Sequence, residues 1–239
     1  MEKLYKKSPL LHALAFIIIY VVGSGTADGI SETAGIPKLL TVLFHAALSI
    51  IIFLWMKRSA HLEHFGLCSP HLCAHKAVLY VPLAVLSTSS VWFGFAVNHG
   101  GLQAVLFAVS MLCTGFLEEV VFRGFLYRAM EKDSPRAAVA VTSITFGIGH
   151  IINLLNGADV IPTVCQICCA VAFGYLFVTV FRVSGSIVPC IVSHSTVNVL
   201  SVFARSAPSA IADVAVSAVI AVLASSVALL VAVKMAKKS

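Results

Sequence analysis

Long apolar runs separated by short polar stretches extend along the whole of this chain. A helix needs about 20 apolar residues to cross about 30 Å of hydrocarbon, and eight runs approach that length. They cover residues 10–22, 39–56, 77–97, 102–126, 137–155, 161–181, 187–203 and 211–233. The pattern predicts an all-α fold, a polytopic membrane bundle of eight transmembrane helices.

The first run is short and follows Lys3, Lys6 and Lys7, an arrangement that also suits a signal peptide. The stretch SGTADG after it is a poor small-residue cleavage site, and seven more apolar runs follow. We therefore interpret this run as a retained first helix.

The composition and charge agree with a chain made for lipid. Of 239 residues, 59% are hydrophobic and 11% are charged, and the mean hydropathy is +1.00, whereas soluble domains are about 25% charged. With a cytoplasmic amino terminus, all 16 basic residues except Lys38 and Arg205 fall on the cytoplasmic side, as the positive-inside rule requires. This distribution predicts that both termini are cytoplasmic, and it explains the net charge of +6 without a nucleic-acid partner.

The chain is predicted to form a single domain over 1–239. Its connections are short, and it shows neither an internal repeat nor a linker rich in Pro, Gly or Ser. The residues capable of chemistry at membrane depth concentrate in a core of about 101–203.

One predicted cytoplasmic loop, residues 57–76, is rich in possible zinc ligands. These are His61, His64, Cys68, His71, Cys73 and His75. Their spacing matches no established zinc motif, so we interpret the segment 61–75 as a solvated juxtamembrane loop. The odd number of cysteines, seven, most of them inside predicted helices, indicates no disulfide framework.

Ionisable residues within the apolar runs are the strongest functional signal, because they are costly in lipid. They concentrate in three short pieces, GFLEEVVFRG (115–124), FGIGH (146–150) and HSTVN (194–198). Asp213 we interpret as interfacial, and the isolated His12 and His45 need no functional role. Counted from the nearest cytoplasmic basic residue at ~1.5 Å per residue, Glu118, His150 and His194 lie roughly 15 to 21 Å deep. Their similar depth predicts a shared polar cavity that opens toward the cytoplasm.

Helical spacing sorts these side chains by face. Glu119 and Arg123 are four residues apart and can pair, whereas Glu118 points about 100° away. His194 and Asn198 share a face in the same way. A carboxylate beside an imidazole can activate water, and a second imidazole with an amide can stabilise an oxyanion. These are the components of a peptide hydrolase.

The three pieces also resemble the motifs EExxxR, FxxxH and HxxxN of the CPBP intramembrane protease family. That family includes the type II CAAX prenyl endopeptidases and the abortive-infection and bacteriocin-immunity group. EEVVFR, FGIGH and HSTVN occur in the same order, on predicted helices four, five and seven.

The resemblance implies a role for each matching position. Glu118 would be the general base, assisted by His150, while His194 and Asn198 stabilise the oxyanion. Glu119 and Arg123 would form a supporting pair. The family has been described both as glutamate-dependent and as metal-dependent, and Glu118, His150 and His194 are the alternative zinc ligands. We favour the reading without a cofactor, because Asn198 is a poor zinc ligand.

The partners implied are a peptide or lipidated-protein substrate and membrane lipid. The substrate is either CAAX-type or a small-peptide precursor, and the expected location is a bacterial cytoplasmic membrane, crossed several times. Two alternatives remain. One is a proton-coupled transporter that uses buried Glu and His, and the other is a noncatalytic immunity or scaffold protein with the same fold.

Overall fold

The computed structural model describes residues 1–70, 77–155 and 157–236. The helices are α1 (Glu2–Lys7), α2 (Pro9–Thr33), α3 (Leu39–Arg58), α4 (Ala77–Leu86), α5 (Gly101–Glu118), α6 (Pro135–Ile148), α7 (Val160–Ser184), α8 (Val188–Ser201) and α9 (Ala210–Ala236). Within the described ranges no strand forms, and a single isolated bridge joins Phe95 to Ala204. The prediction of an all-α fold is confirmed.

Two helices begin with the same local signal, a serine followed by a proline. Ser8 precedes α2 and Ser134 precedes α6, and each hydroxyl accepts a hydrogen bond from a backbone N–H three residues on. The proline occupies the first helical position, where its missing N–H costs nothing. At its other end, α7 stops at Gly185, whose positive φ of 72° suits glycine.

Two helices depart from a simple α course. After Glu118, α5 widens into a π-helix (Glu119–Tyr127) and closes with an α turn (Arg128–Met130). α6 continues through a 3₁₀ turn (Gly149–Ile151) into a last short helix (Ile152–Leu155). The sequence pattern predicts neither change.

Six helices of the described chain are long and apolar enough to cross a membrane: α2, α3, α5 with its continuation to Met130, α6 with its continuation, α7 and α9. The multi-pass class is therefore supported. The other two predicted runs form α4, of 10 residues, and α8, of 14. At 1.5 Å per residue both are shorter than the hydrocarbon is thick. The count of eight spans and the cytoplasmic termini stay predictions.

The bundle is organised around α5 and α7. α7 packs between α6 and α9, and α5 packs against α3 and α8, while α2 packs on α3 and on the π segment. A large buried core joins α2, α3, the π segment and α7, and a second lies among α4, α7 and α9. Many leucines, isoleucines and valines on the outward faces of the bundle are exposed, as expected where lipid is the solvent.

Candidate functional site

The π segment contains a fully buried ion pair. Arg123 Nη1 donates to Glu119 Oε1 at 2.9 Å, and both side chains are 0% exposed. The guanidinium also lies over the ring of Phe146, 4.2 Å from its centroid. The pairing predicted from the four-residue spacing is thus present. Removing one partner of such a pair leaves an uncompensated buried charge.

His194, on α8, contacts both glutamates. Its Nδ1 lies 2.8 Å from Glu119 Oε1, and its Nε2 lies 3.5 Å from Glu118 Oε2. Because the same Glu119 oxygen accepts from Arg123, His194 Nδ1 is the donor in this contact. Its Nε2 therefore faces Glu118, as an acceptor in the neutral ring or as a donor in the imidazolium.

Glu118 is held by a residue that the motifs do not include. The Tyr20 hydroxyl, on α2, donates to Glu118 Oε1 at 2.7 Å. Tyr20 is an unremarked aromatic residue in the first apolar run, so sequence reasoning gave no signal for it. The side chain of Glu118 is 14% exposed, whereas Glu119 is enclosed by Arg123 and His194. Of the two adjacent carboxylates, Glu118 is the one that water can reach.

His150 lies in the 3₁₀ turn that follows α6. Its Nδ1 is 3.2 Å from the Phe146 carbonyl oxygen, so Nδ1 carries the proton and Nε2 is left as an acceptor. No hydrogen bond joins it to Glu118 in the described structure. No direct contact therefore supports the predicted assistance of Glu118 by His150. Phe146 contacts the rings of both His150 and His194.

A cavity of about 350 Å³ is lined by three of the predicted site residues, His150, His194 and Asn198. The aromatic rings of Phe173 and Phe177 line it as well. Glu118 does not line the cavity, but its Oε2 lies 3.5 Å from Nε2 of His194, which does.

The position of the cavity differs from the prediction. Its wall includes Ser89, Ser90 and Phe93, which follow α4, and Arg205, Ser206 and Ala207, which follow α8. These segments lie at the helix ends remote from the basic residues Arg136 and Arg182, which are near the start of α6 and the end of α7. The short helices α4 and α8 leave space above their ends, and the cavity occupies it. In the predicted orientation the cavity therefore opens away from the cytoplasm, and the expectation of a cytoplasmic opening is corrected.

The interpretation of Asp213 as an interfacial residue stays a prediction. The residue lies near the start of α9 and lines the same cavity as the two histidines. The sequence places Asp213 near one end of the last apolar run, but it does not reveal that this end borders the cavity.

The described part of the loop 61–75 is packed, not simply solvated. Tyr5 contacts the rings of His61, His64 and Phe65, and Phe65 is buried. Burial also raises the pKa of the Cys68 thiol, whose Sγ donates to the Gly185 carbonyl at 3.4 Å. His71, Cys73 and His75 lie outside the described residues. The described segment fastens α1 and α7 to the end of the bundle.

The alternative zinc ligands, Glu118, His150 and His194, stay a prediction. Among the described side chains, no three of the His, Cys, Asp and Glu groups lie close enough to hold one metal ion. Glu118, His150 and His194 therefore do not form a ready-made zinc site in this arrangement.

A glycine fixes the approach of the two helices that carry the glutamates and His194. A Cβ placed on Gly115 would lie 2.7 Å from the Ser195 backbone nitrogen, closer than real side chains approach. Gly147 plays the same part between α6 and α7, against Val171 and Ile167. Gly149, two residues further on, has nothing within 4 Å of such a Cβ.

Comparison with known proteins gives one match. The family described as type II CAAX prenyl endopeptidase Rce1-like matches residues 99–200. The matched region contains all six motif residues, namely Glu118, Glu119, Arg123, His150, His194 and Asn198, but not Tyr20. No curated protein and no solved structure matches the chain.

Proposed function

We propose that the chain is an intramembrane endopeptidase of the CPBP family, in which Glu118 activates water. The match of residues 99–200 to the type II CAAX prenyl endopeptidase Rce1-like family supports a hydrolase that acts on a peptide or prenylated protein. The observation that carries the proposal is the contact of His194 with Glu118 and Glu119, on the wall of a cavity shared with His150 and Asn198.

In the proposed reaction Glu118, oriented by Tyr20, takes a proton from a water molecule beside His194. The water oxygen bonds to the scissile carbonyl carbon, the carbon–nitrogen bond breaks, and the proton passes from Glu118 to the leaving amine. Nε2 of His150, left as an acceptor, orients the water. His194 in its imidazolium form, stabilised by Glu119, donates to the oxyanion together with the Asn198 amide. No metal takes part in this scheme.

The substrate we propose is a CAAX-type carboxyl terminus or a small-peptide precursor, cleaved in a bacterial cytoplasmic membrane. The cavity wall agrees with a peptide that carries apolar side chains, because Phe173, Phe177 and Ile220 line it. In the predicted orientation the scissile bond is presented from the side opposite the basic residues.

Peptide cleavage by the purified protein tests the proposal. Wild-type protein in detergent is incubated with a peptide library, and the products are identified by mass spectrometry. Glu118→Gln keeps the size and shape of the side chain but removes the base, so we expect cleavage to fall by about 10² to 10⁴-fold. Glu63→Gln, at an exposed glutamate remote from the cavity, is the matched control and should cleave normally.

Two results would contradict the proposal. One is full cleavage by Glu118→Gln, which would remove Glu118 from the reaction. The other is proton flux into liposomes that Glu118→Gln abolishes, with no cleavage by the wild type, which would favour the transporter.

A further inference from the structure

Arg205 stands at the cavity on a loop whose backbone is held in place. Its own N–H donates to the Gly94 carbonyl at 3.0 Å, and the Asn98 amide donates to the Ala204 carbonyl at 2.9 Å. The side chain of Arg205 is exposed and lines the cavity that also reaches His150 and His194. The backbone that carries this guanidinium is thus held at one end of the space that a substrate would fill.

Among the described residues, Arg205 differs from the other outlying basic residue in having no partner for its charge. The other basic residue that departs from the cytoplasmic bias, Lys38, donates to Asp28 Oδ2 at 2.7 Å. Arg205, in contrast, makes no ion pair with any residue of the described ranges. Asp213 also lines the cavity, but no ion pair joins it to Arg205. A cation held at this position without a partner is available to an anion that enters the cavity.

We propose that Arg205 binds a carboxylate of the substrate, and so selects peptides with that group close to the scissile bond. This inference rests on the proposed function. A guanidinium presents two parallel N–H donors that match the two oxygens of a carboxylate. A cavity of about 350 Å³ is at the small end of ligand pockets, so the bound carboxylate lies within a short peptide segment of the reacting carbonyl.

The carboxylate has two sources, the carboxyl terminus of the peptide or an acidic side chain. Three fluorescein-labelled peptides, derived from one parent sequence that ends in apolar residues, separate them. The first has a free carboxyl terminus, the second a terminal amide, and the third a terminal amide with glutamate as its last residue. Binding is measured by fluorescence anisotropy with purified Glu118→Gln protein, so that the result does not depend on turnover.

The free-carboxylate peptide should bind more tightly than its amide, and adding Arg205→Ala should weaken its binding at least about tenfold, the loss expected for a charge-assisted pair. Binding of the plain amide should not change. Arg205→Lys should restore part of the affinity, and Arg58→Ala, at an exposed arginine at the end of α3, should have no effect. Arg205-dependent binding of the glutamate peptide would assign the recognised group to a side chain.

Equal effects of Arg205→Ala on acid and amide peptides, or no effect on any, would overturn this inference. That outcome is separate from failure of the proposed function, which appears as cleavage that does not depend on Glu118.

Discussion

The Tyr20 hydroxyl donates a 2.7 Å hydrogen bond to Glu118 Oε1, and this bond ties the first long helix to the carboxylate of the proposed base. α2 lies outside the family match of residues 99–200. The bond therefore links a helix beyond the motif core to the centre of the site. It fixes one carboxylate oxygen and leaves the other, Oε2, toward His194.

Tyr20→Phe should lower kcat and leave KM nearly unchanged, because the substitution removes one hydrogen bond to a charged group and keeps the ring. Such a bond contributes about 1.5–3 kcal/mol, so a roughly 10 to 100-fold loss is expected. The measurement is steady-state cleavage of a library-selected peptide. Tyr175→Phe, remote from Glu118 on α7, is the control. An unchanged kcat in Tyr20→Phe would show that the bond does not position the base.

The buried pair of Glu119 and Arg123 should matter for stability. Arg123→Ala leaves Glu119 charged and without its partner in the core, and breaking a buried pair costs about 3–5 kcal/mol. Arg128→Ala breaks the partly exposed pair with Glu131, 2.6 Å long, and should cost at most about 1 kcal/mol. Thermal unfolding in detergent compares the two. Similar losses in both variants would contradict a special role for the buried pair.

Part of the candidate site could be predicted from the sequence, and part could not. The Glu119–Arg123 pair follows from the four-residue spacing, and the sharing of one cavity by His150 and His194 follows from their similar depth. Glu118, predicted to share that cavity, does not line it. The Tyr20 contact does not, because a tyrosine in an apolar run carries no polar pattern. The π-helix after Glu118, which packs on α2 and α6, has no signature in the apolar pattern either.

The direction of the cavity was misjudged for a geometric reason. Depth measured from the cytoplasmic basic residues treats every apolar run as a full span. Both α4 and α8 are shorter than a full span: α4 ends at Leu86, although its apolar run continues to residue 97, and α8 has 14 residues. The space above two short helices is on the far side, and hydropathy alone does not reveal it.

Gly115→Ala should disturb the candidate site, although Gly115 is not itself one of the site residues. The added methyl group meets the Ser195 backbone, so α8 must move away from α5, and His194 moves with it. We expect both lower thermal stability and a loss of cleavage. Gly25→Ala adds the same methyl group to α2, where nothing lies within 4 Å. There the better helix propensity of alanine should raise stability by up to about 1 kcal/mol. Equal behaviour of the two variants would contradict close packing at Gly115.

Chelators should leave peptide cleavage unchanged, because the proposed reaction uses carboxylate, imidazole and amide groups alone. The assay compares initial rates with and without EDTA and 1,10-phenanthroline, and a known zinc peptidase treated in parallel shows that the chelators act. Loss of activity that added Zn²⁺ restores would instead assign Glu118, His150 and His194 as metal ligands and would require them to move together.

Thiol labelling in intact cells should locate the cavity mouth. Ser206 is exposed at the cavity, and Ser69 is exposed on the loop between α3 and α4. These two positions lie on opposite sides in the orientation predicted from the basic residues. In intact cells a membrane-impermeant maleimide should label Ser206→Cys beyond the wild-type background. Ser69→Cys should gain its label only after permeabilisation. The reverse pattern would place the amino terminus outside and turn the cavity to the cytoplasm, so the substrate would then enter from within the cell.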